Sequence, residues 1–278
     1  MRLTDTHCHL YMDRFRADLP AVVARAQEAG VRRMLVPGLD IETSRQAIEL
    51  AQAYEPIYCA IGFHPTETTA LGDAQWRSLR QLLQAEKLAA IGEVGLDYYW
   101  VTDADARRQQ RRALEQQLGM AEGACLPVVL HLREQEDADS GAAAQDLLSI
   151  LSAWTSGFAD QAASLRGRAG VLHSFSGTPE TAAVAMDLGF YIGVTGPITF
   201  PTAEHRRGVV QSLPLARILI ETDAPFLAPQ QYRGKRNEPA YVPHIADRIA
   251  QIQSRTPTEV AEATWRNAAR LFGWGEPD

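Results

Sequence analysis

Eight short apolar runs separated by helical stretches constrain this chain more than any other feature. They lie at 1–4, 31–36, 57–61, 88–91, 127–130, 171–172, 191–194 and 218–220. Helical spacing intervenes at 19–29, 41–54, 74–85, 104–122 and 142–154, and two further helical stretches, about 243–253 and 257–272, close the chain. Strands this apolar need cover on both faces, and alternation with helices supplies it in a parallel sheet. The expected class is α/β, and eight strands in 278 residues predict a single (β/α)8 TIM barrel across residues 1–278. An open doubly wound sheet is the alternative. It would want a Gly-rich phosphate turn after its first strand, where this chain has Asp5-Thr6-His7-Cys8-His9. The longest excursion, about 134–170, starts acidic and small at 134–141, of which 135–141 reads as a lid or an insertion, and ends irregularly at 155–170.

If the opening run is a strand, its period of two sends His7 and His9 to one side and Cys8 to the other. Two imidazoles on one side can grip an ion, but the pair needs partners. Each candidate partner follows an apolar run: Glu93 the fourth, His131 the fifth, His173 the sixth and Asp223 the eighth. In a barrel these ends converge on the C-terminal mouth, where barrel active sites lie. Six ligands exceed the three that a catalytic zinc usually takes, so two divalent ions fit better, with Glu93 as the bridging carboxylate. Mixed imidazole and carboxylate ligation suits Zn2+ or Mn2+ and tolerates Mg2+. The two lysines, Lys87 and Lys235, lie at no strand end facing the site, which disfavours a carbamylated lysine bridge.

The formal net charge of -7 argues against a non-specific coat for nucleic acid, though not against a substrate held at a local basic patch. Cys8, Cys59 and Cys125 are far apart and read as reduced, mostly buried thiols. No signal-like or membrane-spanning run is evident, so a cytoplasmic location without membrane contact is the expectation.

The motifs Asp5-Thr6-His7-Cys8-His9, Gly62-Phe63-His64-Pro65, Gly92-Glu93-Val94-Gly95-Leu96-Asp97, His173-Ser174-Phe175-Ser176-Gly177, Glu221-Thr222-Asp223-Ala224-Pro225 and Arg236-Asn237-Glu238-Pro239 together resemble the TatD-type metal-dependent deoxyribonucleases, of the amidohydrolase-like kind. The resemblance covers nearly the whole chain. It implies a distorted TIM barrel in which His7, His9 and Asp223 hold one ion, His131 and His173 the other, and Glu93 bridges. It also implies that Asp223 accepts the proton of the attacking water. After His131 the chain departs from the family pattern: Leu132-Arg133-Glu134 leads into a longer excursion, which bears on the shape of the mouth.

For substrate contacts, Arg233, Lys235, Arg236 and Asn237 follow the eighth strand and could clamp a phosphodiester, or form a solvated loop. Arg133 at the fifth strand end and His64 at the third are further candidates, His64 only through its motif. Asp97 could orient a ligand or cap a turn. Tyr98, Tyr99 and Trp100 could stack an unpaired base or pack under the loops. Arg107, Arg108, Arg111 and Arg112 read as a solvated helix face. The expected activity is phosphodiester hydrolysis by a two-metal activated-water mechanism, exonucleolytic on single-stranded or frayed DNA. The alternatives are a metal-dependent hydrolase of small esters, amides or lactones, and a non-catalytic metal-dependent nucleic-acid-binding protein.

Overall fold

The computed structural model describes residues 1–135 and 141–275. Its strands β1 (Leu3–Asp5), β2 (Val31–Pro37), β3 (Ile57–Ile61), β4 (Leu88–Asp97), β5 (Val128–Arg133), β6 (Gly170–Leu172), β7 (Phe190–Val194) and β8 (Ile218–Ile220) run parallel, each bonded to the next in sequence order. Thr6 N–H donates to the Ile220 carbonyl at 3.0 Å and Cys8 makes a parallel bridge to Ala224, so β8 returns to β1 and the sheet closes. A helix follows every strand: α1 (Leu19–Glu28), α2 (Ile41–Ala53), α3 (Asp73–Leu82), α4 (Ala104–Ala124), α5 (Ala142–Ser156), α6 (Pro179–Asp187), α7 (Glu204–Ser212) and α8 (Val242–Gln253). An additional α9 (Pro257–Phe272) ends the fold, opened by a Thr256–Glu259 capping box. The architecture is the (β/α)8 barrel that the strand pattern predicts.

Strand alternation divides the core in two. Val128, Leu130, Leu172, Ile218 and Ile220 pack in one cluster with helix residues such as Val22, Ala47, Leu147 and Ile245. Leu35, Ala60, Val129, Val171, Tyr191 and Leu219 form another, joined by Leu271, Phe272 and Trp274 from the end of α9. The second row is the barrel interior, floored by the C-terminal helix. Two residues further along three of those strands stand His131, His173 and Glu221. The period that fills the barrel with Val129, Val171 and Leu219 therefore carries these polar groups to its mouth.

Several expectations need correction. β4 does not stop at residue 91 but continues, with an irregularity between Ile91 and Val94, to Asp97. Helices α6 and α7 were not anticipated, and the stretch read as irregular holds the end of α5 and a 3-10 turn at Asp160–Leu165. Of the segment read as a lid, residues 136–140 lie outside the described residues. Cys8 and Cys59 are buried and Cys125 half-buried, all three free. Among the described residues no helix is long and apolar enough to cross a membrane.

Candidate metal centre

The β8–β1 seam positions the first group. Asp223 N–H donates to the His7 carbonyl at 2.8 Å and His9 N–H to the Ala224 carbonyl at 2.7 Å, so the main chain fixes His7, His9 and Asp223 relative to one another. Cys8 faces away, its thiol 3.6 Å from the Leu35 carbonyl. His7 Nε2 lies 3.2 Å from His9 Nε2, 3.2 Å from Glu93 Oε2 and 3.8 Å from Asp223 Oδ1, while His9 Nε2 lies 3.8 Å and 3.3 Å from the same two oxygens. The edges of a tetrahedron with bonds of about 2.0–2.1 Å are about 3.3 Å, so these separations match the spacing of ligands around one small divalent ion.

Around the first cluster the donor set fits as well. Burial, with His173 alongside, lowers the His7 pKa and keeps the ring neutral. Burial alone would raise Glu93, but His7 and His131 hold it well below the ordinary carboxylate value. Neutral imidazole facing ionised carboxylate is the protonation state that a metal requires. His9 Nδ1 sits 3.0 Å from the Tyr11 hydroxyl, which leaves its Nε2 turned to the site.

Glu93 divides its carboxylate between two sets of histidines. Oε2 faces His7 and His9, while Oε1 is 2.9 Å from His131 Nδ1 and 3.7 Å from His64 Nε2. Three clusters of ligand atoms result: His7, His9 and Asp223; His7, Glu93 and His173; and His64, Glu93 and His131. All six expected ligands thus belong to one connected site, and His64 lies within it rather than at its rim. Among the described residues no single cluster of ligand atoms holds both His131 and His173, which meet only through Glu93. His131 spans Glu93 and Asp97, with Nε2 3.0 Å from Asp97 Oδ2, whereas His173 stacks on His7 with ring centroids 3.4 Å apart. Against the burial that lowers them, the hydrogen bonds to Asp97 and Glu93 raise His131 to about 9 and Glu221 raises His173 to about 9, so an ion held by these rings would displace a proton from each.

Three positioning carboxylates complete the site, and only Asp97 was singled out in the sequence. Glu221 is fully buried, 2.9 Å from His173 Nδ1, and also accepts from Ser174 N–H at 2.9 Å. Gly193 makes this possible, because a Cβ there would meet the Glu221 carboxylate. Asp5 accepts from Thr222 N–H at 2.9 Å and the Thr222 hydroxyl at 2.5 Å, tying the seam together, and burial pushes its pKa up to about 7. Alternation along 5, 7, 9 and along 221, 223 was the available signal for Asp5 and Glu221.

The substrate contacts fare unevenly. Arg236 is corrected: its guanidinium donates to Asp18 at 2.7 and 2.8 Å and to Glu238 at 2.8 Å, which commits it to the loop's own ion pairs. Asn237 is corrected too. It is 0% exposed, and its amide donates to the Thr222 and Phe226 carbonyls at 2.8 and 2.6 Å, so it shapes the turn after Asp223 from beneath. Arg233 and Lys235 are exposed, Arg233 lying 4.9 Å over the Phe200 ring. Arg133 is exposed at the end of β5.

Residues 4–273 match the family described as TatD related DNase. An uncharacterized metal-dependent hydrolase, YabD, of Bacillus subtilis (strain 168) is 37% identical over 270 residues, covering 97% of this chain and 98% of that protein. A 3'-5' ssDNA/RNA exonuclease TatD of Edwardsiella piscicida is 34% identical, covering 97% and 99%. The crystal structure of YjjV, a TatD homolog from Escherichia coli K12, superposes with a TM-score of 0.85 at 33% identity, covering 98% of each chain.

Proposed function

This chain belongs to the TatD-related DNase family and is a metal-dependent hydrolase of ester bonds; from that premise we propose that it cleaves phosphodiesters in single-stranded or frayed DNA, exonucleolytically, with two divalent ions. The observation that carries the proposal is Glu93, whose two oxygens face two histidine sets as a bridging carboxylate would. His7, His9 and Asp223 would hold one ion, and His173, with His131 or His64 across Glu93, the other. When bound, such ions supply positive charge to the phosphoryl oxygens and lower the pKa of a water.

The chain's own groups do the rest. Asp223 is the ligand carboxylate open to the mouth, its side chain 15% exposed, and its histidine neighbours hold it ionised against the burial that would protonate it. It would take a proton from the attacking water. Glu221 and Asp97 fix the ring orientations of His173 and His131. Arg133, Arg233 and Lys235, all exposed, would contact phosphates of a longer strand. A cytoplasmic location and a single domain over residues 1–278 belong to the same proposal.

Metal-stripped protein resupplied with Mg2+, Mn2+ or Zn2+ is expected to degrade labelled single-stranded DNA. Asp223→Ala and Glu93→Ala are expected to lose about 10²- to 10⁴-fold in rate. Cleavage at the wild-type rate in both variants would reject the site.

A further inference from the structure

We propose that Trp100, with Tyr99 and Arg133, forms a platform that stacks an unpaired base of the substrate strand. This rests on the nuclease reading and names the part of the chain that selects single strands. Trp100 is 66% exposed, more than any other large apolar side chain among the described residues. An exposed Trp is ordinary on a loose loop, but this one stands on a turn pinned from both sides. Asp97 Oδ1 accepts the N–H groups of Tyr99 and Trp100 at 3.0 and 2.8 Å. Arg107, read from the sequence as part of a solvated face, instead donates to the Tyr98 and Val101 carbonyls at 2.9 and 2.7 Å and lies 4.3 Å over the Tyr98 ring. Holding an indole in water on a fixed backbone costs hydrophobic burial without relieving strain, which suits a preformed surface awaiting a flat apolar ligand.

Charge and place identify that ligand. Arg133 lies 4.0 Å over the Tyr99 ring and 5.6 Å from the Trp100 ring centre, and among the described residues it pairs with no carboxylate. A guanidinium beside an open aromatic face offers a phosphate contact and a base contact at nucleotide spacing, the combination that binds single strands without reading sequence. The platform joins the metal centre through one side chain. Asp97 holds the turn with Oδ1 and His131 with Oδ2. A paired base keeps its face inside the duplex and cannot use this surface.

The test compares metal-loaded wild type, Trp100→Ala and Trp100→Phe on a fluorescein-labelled oligothymidylate and on an abasic strand of the same length. Trp100→Ala is expected to raise KM on the oligothymidylate about 5- to 100-fold with kcat nearly unchanged, and Trp100→Phe to restore most of the loss. On the abasic strand the three proteins are expected to have the same KM, and anisotropy of the labelled strands with metal-free protein should follow the same order. An unchanged KM in Trp100→Ala, or an equal rise on the abasic strand, overturns the platform while leaving the nuclease reading intact. A wild type that cleaves no strand overturns the nuclease reading, and the platform with it.

Discussion

On the β8–β1 side of the mouth, His7, His9 and Asp223 are set by main-chain hydrogen bonds that continue the sheet past the strands; on the β4–β5 side, His131 and Trp100 both depend on the carboxylate of Asp97. The first half is as rigid as the barrel. The second is held by side chains. His173 is intermediate, on a β6 end but aimed by Glu221 from β8.

This comparison is sharpened most by removing two of the three positioning carboxylates, Glu221 and Asp97, separately. Glu221→Gln and Asp97→Asn are each expected to weaken metal binding or activity about 10- to 100-fold, read by metal titration beside kinetics. Only Asp97→Asn is expected also to raise KM for single-stranded DNA, because it alone releases the Tyr99–Trp100 turn. An equal KM rise in both would break the distinction between the halves.

Arg236 gives the smaller effect. With Arg25 it joins Asp18 and Glu238, tying the loop after β8 to α1. Arg236→Ala is expected to leave KM unchanged and, allowing for solvent exposure, to destabilise the fold by about 1 kcal/mol in urea unfolding. The Arg236 hydrogen bond leads the causes that hold the Asp18 carboxyl down, at about 2 against an ordinary 3.8. A depressed carboxyl stabilises above its unfolded value, so the difference between wild type and variant should be full above about pH 4 and shrink as pH falls toward 2. A large KM effect at neutral pH would restore Arg236 as a substrate clamp.

How much was legible follows the same division. The eight strands read through as apolar runs, and their ends named six candidate ligands that the fold brings together, because strand period and barrel topology need only local sequence. Short α6 buries only the small side chains Thr181, Ala182 and Ala185 and so shows little apolar periodicity beyond the Thr178-Pro179 start, and α7 packs only Val209 and Val210. Side-chain aim was not legible. Whether His131 pairs with His173 depends on Asp97 and Glu221, and whether Arg236 faces substrate depends on Asp18, 218 residues away. Asn237 looked like a surface donor because burial beneath a turn is a property of the folded loop.

The central claim is that Glu93 joins two ions into one site. Metal content per chain, measured after saturation and desalting, tests it directly on wild type and Glu93→Ala. Two ions per chain falling to one or fewer in the variant is the predicted result. One ion in the wild type, or two retained in Glu93→Ala, would contradict it.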